Sequence, residues 1–122
     1  MDRMIDLFGF SFYCTFSPHA LRRCRERNIL PDIVPTIISN AEEELGDNAK
    51  DEKEFVIRDW TTNIAVVGVF NFRADTVTVK TVINKAEAYC HPGDTVFDIL
   101  PDGKIVVDNP GKNKYNKKVK II

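Results

Sequence analysis

The sequence predicts an α+β domain in which a first strand and two short helices pack on an antiparallel sheet of three to four strands, with a β-hairpin added near the C-terminus. Three observations carry that prediction. A Ser17-Pro18 pair opens a stretch with helical spacing. Three β-rich segments then follow closely between residues 54 and 83, with connections short enough for antiparallel hairpins. Finally, the order strand, helix, helix, meander matches helices layered on one sheet face.

Taken in order, residues 8–16 are rich in aromatics and read as a buried strand. In the helix after Ser17, Ala20, Leu21, Cys24 and Asn28 gather on one face, while His19, Arg23 and Arg27 fall on the other at i, i+4 and i+8, with Arg22 and Glu26 beside them. Pro31 closes this helix or opens the next, which is expected over 32–40 with Ile33, Val34, Ile37 and Ile38 as its apolar face and Pro35 in its first turn. The acidic stretch 41–53 has little apolar content and reads as a loop. Strands follow at 54–59, 63–72 and 76–83. The middle one is nearly continuously apolar and is expected at the centre of the sheet. The third alternates Val77, Val79 and Thr81 against Thr78, Lys80 and Val82. A last hairpin pairs 96–100 with 105–107 around Pro101-Asp102-Gly103. The domain is expected to span 1–110, with 111–122 as a basic tail.

At 122 residues the chain suits one domain, and its 43% apolar and 29% charged residues exclude global disorder. The net charge of -1 conceals segregation: residues 41–60 carry eight acidic and three basic side chains, residues 111–122 five basic and no acidic ones. One surface can therefore meet an anionic partner. Three cysteines, Cys14, Cys24 and Cys90, match no disulfide framework and fit a reducing, cytoplasmic setting. No apolar run reaches membrane-spanning length, so no membrane partner is expected.

The segment 17–29, Ser-Pro-His-Ala-Leu-Arg-Arg-Cys-Arg-Glu-Arg-Asn-Ile, is the one that suggests chemistry. His19 lies in a first helical turn, where free backbone N–H groups favour an anion. Arginines grip phosphate oxygens, and an imidazole moves protons near neutral pH. RNA cleavage needs those parts: proton carriers for the 2′-hydroxyl and the leaving 5′-oxygen, and cations around the phosphorane. The plainer reading, a solvated arginine face, fits the same residues.

The pattern His-x3-Arg-x3-Arg-x-Ile followed by an apolar helix resembles the first helix pair of the RelE/ParE-like toxin superfamily in its BrnT-type branch, and is closest in motif to the RegB-type phage endoribonucleases. The resemblance spans residues 12–85 by element order, although the specific motif covers only 17–29. It implies a small metal-independent endoribonuclease or ribosome-associated toxin without a cofactor. His19 would be the catalytic histidine and Arg23 and Arg27 the phosphate clamps. The RegB-type enzymes carry a second important histidine in their second helix region, which this sequence lacks. His91, the only other histidine here, is the candidate for that role if the chain after Ile83 folds back over the first helix. Toxins of the superfamily also use basic and tyrosine side chains from the sheet. By type, Arg73, Lys80, Lys85 and Tyr89 are candidates for RNA contact here, as is Arg22 on the first helix.

Smaller signals are weaker. Cys14, His19, Cys24, Cys90 and His91 show no paired metal-ligand spacing, so no metal is expected. Trp60 could stack on a base or anchor the core, and the lysine tail could meet phosphates or simply solubilise the end. No phosphate-binding glycine loop is present. The leading expectation is cleavage of single-stranded or messenger RNA by 2′-hydroxyl attack, with RNA, an antitoxin or a host protein as partners. The alternative is a non-catalytic phage or mobile-element binding protein that holds an anionic ligand or host protein on its arginine face.

Overall fold

The computed structural model describes residues 2–88 and 90–109, and in it three helices accompany one seven-stranded mixed sheet. The elements are β1 (Arg3–Leu7), β2 (Phe10–Phe16), α1 (Pro18–Glu26), α2 (Ile33–Asn40), α3 (Glu42–Asn48), β3 (Glu54–Asp59), β4 (Ile64–Asn71), β5 (Thr76–Ile83), β6 (Thr95–Ile99) and β7 (Ile105–Asp108). The strands lie in the order β1-β2-β5-β4-β3-β6-β7. The α+β class is as expected, with apolar β4 at the centre. The sheet is wider than three to four strands, and it is not purely antiparallel: β2 runs parallel to β5 and β3 parallel to β6. The C-terminal hairpin β6–β7 forms, but β3–β6 pairing makes it part of the same sheet. Tyr89 and the tail from 111 lie outside the described residues. Among those described, no helix is long and apolar enough to cross a membrane.

Two elements differ from expectation for identifiable reasons. The first strand is a hairpin, not one run from residue 8: Phe8 and Gly9 take φ of 57° and 84° between β1 and β2, and Leu7 pairs with Phe10. Those left-handed angles match the twist of a tight hairpin. β1 hides in the sequence because, as an edge strand, it leaves Arg3, Met4 and Asp6 exposed. The acidic stretch is not a loop but contains α3. Ala41, Leu45 and Ala49, at i, i+4 and i+8, are all buried and form a narrow apolar stripe. Three glutamates occupy its first turn, where the helix dipole favours them, and Glu42 also accepts a 2.7 Å hydrogen bond from the Phe8 backbone N–H.

Helix α1 is punctuated as the sequence implies. The Ser17 hydroxyl accepts from the Ala20 N–H at 3.0 Å with Pro18 in the first turn. At the other end, Asn28 takes a φ of 56° while Ile29 N–H reaches the Cys24 carbonyl at 2.8 Å and Asn28 N–H that of Arg25 at 3.4 Å, a Schellman ending. In α2, Pro35 is the third residue, where its missing N–H costs no helical bond.

The core lies between the helices and one sheet face. Its centre is a phenylalanine cluster: Phe70 stacks with Phe72 at 4.9 Å and with Phe55 at 5.1 Å, and meets Phe12 edge-on at 5.8 Å. Gly68 makes this possible, since a Cβ there would come within 2.7 Å of Phe55 Cζ and 3.1 Å of the Thr78 carbonyl oxygen.

Two features create a site on the other face. First, β2 pairs with β5 only as far as Phe16 and Val79, and α1 then takes its place along the edge. Ser17 N–H donates to the Val79 carbonyl, the Ser17 hydroxyl to that of Lys80, and the Arg27 guanidinium to that of Val82. Second, β5 reaches β6 by a crossover, residues 84–94, spanning the positions of β4 and β3 in the sheet. Val56, Ala65 and Val96 alternate with core residues and stay buried outside the phenylalanine core, as do Ala86 and Ala88 of the crossover. The crossover therefore runs over the sheet face opposite the helices. Asn63 Oδ1 anchors it by accepting from the Ala86 N–H at 2.9 Å.

A β-bulge sits at this edge. Val67 pairs with Thr81 but Gly68 with Val79, which leaves Lys80 as the extra residue. The expected alternation of β5 therefore breaks. Val82, not Thr81, joins Val77 and Val79 in the core. Bulges re-aim side chains, and this one puts Lys80 and Thr81 on the wall of the same cleft.

Candidate active site

The cleft measures about 310 Å³. His19 from the first turn of α1 and His91 from the crossover both line it, together with Lys80, Thr81 and Ile83 of β5. Val56 and Val67 contribute apolar wall, Glu54 lines it from β3, and Asp94 lines it from the end of the crossover. The chain after Ile83 does not fold over α1 as expected; it crosses the sheet face opposite the helices, and His91 lines the same cleft as His19 from there.

The charged groups are partly matched. Lys80 Nζ lies 3.2 Å from Glu54 Oε2. Asp94 Oδ2 accepts from the His91 backbone N–H at 3.0 Å and stands 3.8 Å from the imidazole Nδ1. Arg22 Nη2 lies 3.5 Å from His19 Nδ1, so this arginine stands beside the histidine.

The two arginines expected as clamps are placed differently. Arg23 forms an ion pair with Glu26 at 2.8 Å. Arg27 donates to the Val82 carbonyl and lines a groove of about 640 Å³ with Lys85 and Glu87, which shares Ile83 with the histidine cleft. Of the remaining sequence candidates, Arg73 sits in the β4–β5 turn, at the opposite end of β5 from Lys80 to Ile83, and does not join the cleft. Tyr89 lies outside the described residues.

No protein-family model, curated protein or solved structure matches this chain.

Glu54 and Asp94 were missed by sequence reasoning. The spacing His91-x2-Asp94 was visible, but the neighbour of Asp94 is set by the parallel register of β3 and β6, in which Phe55 faces Thr95. That pairing has no local sequence signal. It sets Glu54 beside Asp94, and the ligand atoms of Glu54, His91 and Asp94 all lie within 4.8 Å of one another.

Further along the same strand pair, Arg58 donates two hydrogen bonds to Asp98, Nε to Oδ1 at 2.7 Å and Nη2 to Oδ2 at 2.8 Å, while Trp60 Nε1 donates to Oδ1 at 2.8 Å. Arg58 also lies 5.8 Å from the Trp60 ring centroid. Trp60 is thus held at the rim by Asp98, neither buried nor wholly free for stacking. Burial works to raise the Asp98 carboxyl, but the Arg58 and Trp60 hydrogen bonds outweigh it, and the carboxyl sits below its usual value. A carboxyl lowered on folding contributes stability above its unfolded value near 3.8, and loses it as the pH falls through the folded value. Asp98→Asn is therefore expected to cost about 1.5–3 kcal/mol at pH 7. The gap between variant and wild type in urea midpoint should narrow as pH drops below 4. A constant gap from pH 7 to pH 3 would contradict the assignment.

Proposed function

We propose that this protein cleaves single-stranded or messenger RNA by attack of a 2′-hydroxyl on its neighbouring phosphate, with His19 and His91 carrying the protons. The single observation behind this reading is that the chain's two histidines, far apart in sequence, open onto one cleft that also holds Lys80. In the reaction one imidazole takes the 2′-hydroxyl proton as the P–O2′ bond forms. The other protonates the departing 5′-oxygen as the P–O5′ bond breaks, leaving a 2′,3′-cyclic phosphate. In this reading Lys80 in the cleft, and Arg22 beside His19, stabilise the charge that develops on the phosphorane oxygens. Arg27 and Lys85, in the adjoining groove, supply cations for the flanking phosphates. The likeness of residues 17–29 to the RelE/ParE-like toxins supports the same chemistry, and with it a cytoplasmic endoribonuclease that meets RNA free or on the ribosome and is restrained by an antitoxin or host protein.

The test is incubation of purified protein with end-labelled mixed-sequence RNA in excess EDTA, followed by analysis of the new ends. Discrete fragments bearing cyclic phosphate are expected. RNA that stays intact, both alone and with ribosomes, would overturn the proposal.

A second reading has its own support. Arg23 is occupied by Glu26, while Arg27 and Lys85 border a groove larger than the histidine cleft. A non-catalytic module could hold an anionic ligand or a host protein there, with the histidines as bystanders.

A further inference from the structure

We propose that Glu54, His91 and Asp94 form a binding site for a divalent transition-metal ion of the zinc type, on the β3–β6 side of the cleft. One ligand atom from each residue lies within 4.8 Å of the other two. The parallel register that pairs Phe55 with Thr95 brings Glu54 at the start of β3 beside Asp94, the residue just before β6. Both carboxylates line the cleft, as does the imidazole of His91. Two carboxylates held side by side repel each other, and a dication between them removes that cost. Lys80 offsets part of it, at 3.2 Å from Glu54.

The donor set narrows the choice of ion. One imidazole and two carboxylates suit borderline ions such as Zn2+ better than Mg2+, which keeps its waters and asks for an all-oxygen octahedron. Three protein ligands leave a fourth position for water or an anion, open to the cleft. Ligand atoms around a tetrahedral Zn2+ stand about 3.3 Å apart, given bonds of roughly 2.0–2.1 Å. The widest separation must therefore close by at most about 1.5 Å, while His91 Nδ1 and Asp94 Oδ2 already stand 3.8 Å apart. The His91 side chain, 74% exposed against 12% for Asp94, is the arm with room to swing. Lys80 competes with the ion for Glu54, so metal entry displaces its ammonium. One consequence rests on the RNA-cleaving reading: an ion that engages the His91 imidazole removes one proton carrier, and Zn2+ then inhibits cleavage.

The experiment is calorimetric titration of EDTA-stripped, desalted full-length protein with Zn2+, and separately with Mg2+, in the absence of RNA. One Zn2+ per chain is expected, with Mg2+ far weaker. Glu54→Gln and His91→Ala should each lower Zn2+ affinity by about tenfold or more. Lys80→Gln should raise it, a gain that misfolding cannot produce. Cys90→Ser should keep wild-type affinity. Binding that survives Glu54→Gln and His91→Ala, fails to tighten in Lys80→Gln, or disappears in Cys90→Ser would overturn the site. Because no RNA is present, failure here leaves the cleavage reading standing, and absence of cleavage leaves the metal site standing.

Discussion

His19→Ala is expected to lower the rate of RNA cleavage by about 100-fold or more, the usual scale for a lost general acid or base, while RNA affinity stays nearly unchanged. The separation follows from where the cations lie. Lys80, Arg27 and Lys85 sit on β5, α1 and the crossover, and do not depend on the imidazole for their placement. His19 itself is half-buried in the first turn, and the cap below it is made by Ser17, so alanine should preserve the helix. His91→Ala should act in the same way, and the double variant should be little worse than either single one, since the two protons move in one reaction. Single-turnover cleavage and filter binding on the same RNA distinguish the cases. Arg27→Ala and Lys85→Ala would weaken binding under either reading, whereas a binding module would show no cleavage in any variant and wild-type affinity in both histidine variants.

The second large effect concerns the core. Phe70→Ala should cost about 3–5 kcal/mol, the range for truncating a fully buried phenylalanine. Phe70 is fully buried, and its ring lies between those of Phe55 and Phe72 with Phe8 and Phe12 close by. The hole cannot collapse easily, because those neighbours come from two strands, β2 and β3, and from the turns after β1 and β4, which the strand pairings hold in place. Against a typical domain stability of about 5–15 kcal/mol, that loss is a large fraction of the whole. The thermal midpoint should fall on the order of 10–20 °C. Leu30→Ala is the natural comparison. Leu30 is 77% exposed, and its loss should stay within about 0.5 kcal/mol. Equal shifts for the two variants in thermal unfolding would contradict the placement of the core.

Strong local signals in the sequence predict their elements, whereas sparse stripes and pairings at a distance leave little trace in it. Ser17-Pro18 sets the start of α1, and the unbroken apolar run of β4 sets its central place, because capping and periodicity act within a few residues. Helix α3 was obscured because its stripe needs only Ala41, Leu45 and Ala49, and the glutamates between them dominate the composition. The Lys80 bulge falls where the register of β4 on β5 shifts between Val67 and Gly68, a feature of the pairing that β5 alone does not encode. The candidate site shows the same divide. His19 stands out within its helix, and His91 was recognised as a candidate whose relevance depended on the chain's return path. Glu54 joins Asp94 only through parallel pairing of strands about forty positions apart, which no local pattern encodes.

Among the described residues of the crossover, Ala86 and Ala88 are buried, whereas the opposite face is filled by phenylalanines. What holds the molecule together and what lines its cleft are thus drawn largely from different sides of one sheet. Substitution at the exposed crossover position His91 leaves the aromatic packing of the other face untouched. The lining of the cleft can thus vary while the scaffold behind it persists.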